Sequence, residues 1–92
     1  MEVALEQYAV RKIKNAGGWA LKLVCPGVTG VPDRLVLFPG GRVSFIEFKN
    51  QNAGRLSPRQ IKVQAKLKEL GFEVWVIDSK KVFEVYMNGG GR

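Results

Sequence analysis

The clearest pattern lies between residues 33 and 49, where apolar residues dominate two arms. Arg34-Leu35-Val36-Leu37-Phe38 and Arg42-Val43-Ser44-Phe45-Ile46 form two mainly apolar arms around Pro39-Gly40-Gly41. This pattern predicts two antiparallel strands joined by a short glycine loop. With 39–41 as the loop, Phe38 faces Arg42, and counting back sets Asp33 opposite Glu47. Opposed residues hold their Cβ atoms about 4.5–5.5 Å apart. Two carboxylates at that spacing repel unless a proton or a metal ion lies between them. Lys49 lies two residues beyond Glu47 and so shares its strand face. Val43 and Phe45 share that face too, which implies that it is covered.

The rest of the chain divides at its glycines and prolines. Residues 2–16 predict a helix stopped by Gly17-Gly18. At about 100° per residue, Val3, Ala9, Val10 and Ile13 share one face with Glu6 in its middle. A glutamate inside an apolar stripe is costly unless something pairs with it. Residues 19–25 read as a strand, 26–30 as a loop, and Asn50 to Leu56 as a polar loop. Ser57-Pro58-Arg59-Gln60 is a capping-box start for a helix reaching about Leu70, with Gly71 as its stop. The nearly all-apolar Glu73–Ile77 follows this crossover and is expected at the sheet centre, parallel to the strand before the helix. Residues 79–86 read as a short helix capped by Asp78 or Ser79, and Asn88 to Arg92 as a flexible glycine-rich tail. The expected fold is α/β: one domain over 1–87, in α-β-β-β-α-β order, with a mixed central sheet flanked by helices.

Composition narrows the chemistry. Ninety-two residues support one modest core. No apolar run approaches the roughly 20 residues that cross a bilayer, and the start lacks signal-peptide character. A soluble intracellular protein without a membrane partner is expected. A net charge of +7 and a pI near 9.9 favour a polyanionic partner, with nucleic acid first among them. Histidine is absent and Cys25 is the sole cysteine, which excludes His-based catalysis, thiolate zinc sites and an internal disulfide. Carboxylates, lysine and an oxygen-liking ion such as Mg²⁺ or Mn²⁺ remain. Arg55 and Arg59 lie nearest the acids in sequence and, with Lys62, are candidates for phosphate contacts, which carry affinity but little sequence information. Trp19 and Trp75 are expected in a core or a dimer interface, and Cys25 as a small buried hydrophobe.

A helical glutamate, the Gly30-Val31-Pro32-Asp33 entry into a strand, Glu47-Phe48-Lys49 on the next strand and the Ser57-to-Gln60 helix start together resemble the VRR-NUC domain. That family is a branch of the PD-(D/E)xK nucleases with a restriction-endonuclease-like core, and the likeness spans residues 2–79. It implies that Asp33 and Glu47 bind a metal ion, joined by Glu6 and the Phe48 carbonyl. It further implies that Lys49 orients or activates the attacking water and that Gln60 packs beside the site. The implied activity is Mg²⁺- or Mn²⁺-dependent DNA cleavage. Small standalone members resemble Holliday-junction resolvases, so the likeness also implies branched DNA, a homodimer, and the cytoplasm of a bacterial or phage-infected cell. Two alternatives stand beside this: a nuclease for flaps or ends, and a catalytically silent basic DNA-binding module of the same fold.

Overall fold

The computed structural model describes residues 2–50 and 55–89. Its elements are α1 (Glu2–Asn15), β1 (Trp19–Lys22), β2 (Arg34–Leu37), β3 (Val43–Phe48), α2 (Pro58–Glu69), β4 (Glu73–Ile77) and α3 (Lys80–Met87). The Val3 side chain, residues 51–54 of the expected loop and residues 90–92 of the expected tail lie outside the described residues. Asn88 and Gly89 do belong to the ordered fold, closing α3 through Asn88 N–H to Glu84 O and Gly89 N–H to Tyr86 O. None of the described helices is long and apolar enough to cross a membrane.

The four strands form one mixed sheet in the order β1-β2-β3-β4. β2 and β3 pair antiparallel, Arg34 with Ile46 and Leu37 with Val43. Phe38 N–H donates to Arg42 O at 2.9 Å, so the hairpin turns where its glycines predict. β3 and β4 run parallel around the α2 crossover, Phe45 beside Val74 and Phe48 beside Ile77.

Period-two alternation splits the sheet into two faces. Val36, Ile46, Phe48 and Ile77 point to one side and meet Ala9 and Ile13 of α1 and Phe83 and Tyr86 of α3. The Tyr86 hydroxyl is satisfied inside this core by the buried Ser44 hydroxyl at 2.6 Å. The other face carries Phe45 and Glu47 and is covered by α2, whose Gln64 is buried. α2 starts as its sequence predicts: Ser57 Oγ accepts from Gln60 N–H, and Gln60 Oε1 accepts from Ser57 N–H. α3 takes Ser79 as its cap, with Ser79 Oγ accepting from Val82 N–H.

Three expectations are corrected. β4 lies at the sheet edge, not its centre. Its apolar run reflects a helix packed on each face, since Trp75 meets the Tyr86 ring at 5.5 Å while Val74 lies on the α2 side, where Val76 stays partly exposed. β1 ends at Lys22, three residues early, because the chain turns off at Cys25–Val28 ahead of the buried Pro32; only Leu23 N–H continues the ladder, to Asp33 O. Cys25 is half-buried rather than buried. Trp19 stands 64% exposed on the β1 edge, outside the core that was one of its two expected places.

Candidate active site

Asp33 enters the site from a loop that its glycine shapes. Gly30 has φ +86°, and a Cβ there would lie 2.8 Å from the Arg59 backbone. Glycine alone therefore lets the loop dock against the first turn of α2. Arg59 Nε donates to Thr29 Oγ1 at 3.0 Å and ties the same two segments. Pro32, fully buried, then delivers Asp33 one residue before the β2–β3 ladder begins.

Continuing that register sets Asp33 opposite Glu47. Asp33 Oδ2 accepts the Phe48 amide at 2.8 Å, which fixes the acid against the backbone between Glu47 and Lys49. Glu47 lies beneath α2 and is 4% exposed. Its Oε2 accepts from Gln60 Nε2 at 2.9 Å and lies 3.7 Å from Lys49 Nζ. Its Oε1 is buried and accepts no hydrogen bond. Gln60 thus does two jobs with one amide: its oxygen closes the helix cap and its nitrogen holds the acid.

Burial above all, and then the charge of Asp33, push the Glu47 carboxyl up to about 7, against the pull of Lys49 and Gln60. Asp33 is also raised, chiefly by burial, with the Phe48 amide pulling it down and the Glu6 charge pushing it further up. Two neighbouring acids that both resist ionisation, one with an orphaned buried oxygen, form a socket for positive charge. The donors are all hard oxygens, so the site suits a divalent cation such as Mg²⁺ or Mn²⁺.

Glu6 approaches from the opposite layer. It sits on α1, and its Oε2 accepts from Arg34 Nε at 2.8 Å. Arg34 also donates to Ala20 O. Among the described residues, no three acidic side chains converge tightly enough to hold an ion by themselves. Asp33, Glu47, Lys49, Gln60 and the Phe48 backbone therefore come together, and Glu6 stands beside them in an ion pair. Arg55, Arg59 and Lys62 are exposed around the start of α2.

Arg34 is the residue that sequence reasoning passed over. It occupies a core-facing position of β2, as Glu6 does in the α1 stripe. Two lone opposite charges on facing apolar surfaces were the available signal, because each needs a partner.

No family model matches the chain. The chain is 38% identical over 84 residues to "Putative nuclease p44" of Acyrthosiphon pisum secondary endosymbiont phage 1, covering 91% of this chain and 89% of that protein. A solved structure described as "VRR_NUC domain" superposes with a TM-score of 0.84 at 31% identity, over 94% of each chain.

Proposed function

This chain belongs to the VRR-NUC nucleases, and from that premise we propose that it is a Mg²⁺- or Mn²⁺-dependent DNA endonuclease acting at Asp33, Glu47 and Lys49. The observation that carries the reading is the pairing of half-buried Asp33 with buried Glu47, with an unpartnered Glu47 oxygen and Lys49 3.7 Å away. A pure DNA binder gains nothing from clustered carboxylates near phosphates, whereas a cation-dependent hydrolase needs them.

Asp33, Glu47 and the Phe48 carbonyl would hold the ion. Glu6, whose charge already acts on Asp33, would join the donor set from the rim, where it is now paired with Arg34. When bound, such an ion acidifies water and neutralises phosphoryl charge. Gln60 fixes the Glu47 rotamer, so the acid is set before substrate arrives. The Lys49 ammonium orients the attacking water and offsets charge growing on the phosphoryl oxygens. In the net reaction a water oxygen bonds to phosphorus, one P–O ester bond breaks, and the leaving oxygen takes a proton. Arg55, Arg59 and Lys62 position the DNA through its phosphates.

Branched DNA, above all the four-way junction, is the substrate we propose, cut by a homodimer in the cytoplasm of a bacterial or phage-infected cell. Kinship supports this reading. So do two open sheet edges at β1 and β4, with exposed Trp19 and Val76 leaving surface for a second copy.

The test is cleavage of labelled single-strand, duplex, flap, three-way and four-way DNAs with Mg²⁺, Mn²⁺ or EDTA. Asp33→Ala and Glu47→Ala should abolish metal-dependent cutting and leave binding nearly intact. Lys49→Ala should lose about 10²- to 10³-fold in kcat, the scale of one charge-stabilising donor. Binding without cutting in every metal would overturn the catalytic reading in favour of a silent DNA-binding module.

A further inference from the structure

The geometry points to a second nucleic-acid subsite along one flank of α2, where an unpaired nucleotide lays its base on an apolar floor and its phosphates on a basic rim. This rests on the nuclease reading and deepens it, by naming the feature of the substrate that the protein selects.

The groove lies between α2 and the loop around Val28 and holds about 400 Å³, within the usual range of ligand pockets. Val28, Val63, Leu67 and Leu70 form its floor. Arg59, Lys62 and Lys66 form its rim, and among the described residues no acid lines it. The α2 members recur at three- and four-residue spacing, so they make one stripe roughly 16 Å long. Val28 is 49% and Leu70 61% exposed, and among the described residues nothing covers them, so together they leave a contiguous apolar surface open to solvent. The stripe begins beside the catalytic acids: Arg59 precedes Gln60, whose amide holds Glu47, and Arg59 is itself tied to Thr29.

Charge chooses the occupant. A rim of three cations calls for an anion, and a second copy of a chain carrying +7 is a poor one. Regular duplex DNA satisfies the rim but keeps its bases stacked inside, so the floor stays wet. A nucleotide out of pairing, as at a gap, a flap or a base pair opened at a branch point, exposes an apolar base face that the floor can cover while its flanking phosphates meet the cations. The groove therefore favours DNA with unpaired nucleotides, and it holds them next to the hydrolytic acids.

The experiment is fluorescence anisotropy in EDTA with a labelled duplex and the same duplex carrying a short single-stranded gap. Wild type should bind the gapped DNA more tightly. Val28→Ser and Leu70→Ser change exposed side chains on two different elements, so folding is retained, and melting curves check it. Each should weaken gapped-DNA binding about five- to tenfold, the scale of losing apolar cover from part of a base, and leave duplex binding unchanged. Lys62→Ala and Lys66→Ala should weaken both DNAs alike and flatten the salt dependence. Equal loss on both DNAs in the Ser variants, or none, would overturn the subsite. So would a fall in solution mass by light scattering without altered preference, which would seat a second copy on the groove. Cleavage with Mn²⁺ separates the two readings. Cutting with unaltered gap preference in the variants sinks the subsite alone. Gap-dependent binding by a protein that never cuts sinks the nuclease alone.

Discussion

Glu47 keeps its proton up to about pH 7 because burial and the Asp33 charge both disfavour the anion. Unfolded, the same carboxyl titrates near its ordinary 4.5. Between those values the folded, metal-free protein binds a proton that the unfolded chain releases, so stability falls as pH rises through that window and levels above it. Urea midpoints in EDTA at about pH 5 and about pH 8 should show this fall in wild type and a smaller one in Glu47→Gln. Identical profiles would remove Glu47 as its source. A divalent ion displaces that proton, so its affinity should climb over the same window. The pairing of Asp33 with Glu47 was legible because turn length and period-two alternation fix a hairpin register. The Glu6–Arg34 pair was not read, because the lone charges on two apolar faces show that each needs a partner but not which one, and the two lie 28 residues apart on different layers.

At the scale of elements, α2 is the hinge between sequence and site. Its capping box is read straight from Ser57 to Gln60, and the structure forms both reciprocal bonds. Ser57→Ala should cost about 1 kcal/mol of unfolding free energy, measured by denaturant titration, while leaving the Gln60–Glu47 bond in place. Gly30→Ala acts on the same helix from outside. A methyl group there meets the Arg59 backbone at 2.8 Å in a left-handed conformation, so the loop and α2 must separate. It should lower both the thermal midpoint and cleavage, and unaltered cleavage would show that the loop does not set the acid geometry. The misplaced β4 shows where pattern reading stops. Hydrophobicity reports how many faces of a strand are covered, and helices α2 and α3 pack on the two faces of β4. Whether its edge is paired leaves no mark on the alternation.

For the whole molecule, charge and topology answer different questions. The α-β-β-β-α-β order and the parallel return after α2 followed from spacing and chain connectivity. The +7 charge said only that the partner is a polyanion; the placement of Arg55, Arg59 and Lys62 around the start of α2 puts part of that charge near the acids. Replacing any one of these three with Ala frees one phosphate and should reduce the slope of log affinity against log salt by about 0.9. Unchanged slopes would place the DNA on another surface. The double duty of Gln60 has a further outcome. The Ser57 amide proton ends on the same side chain that grips Glu47, so a backbone resonance outside the acid cluster is wired to its occupancy. In an amide-detected NMR titration, the Ser57 signal should move as a divalent ion loads. That makes one proton in a helix cap a spectator from which the state of Asp33 and Glu47 can be followed without any substrate present.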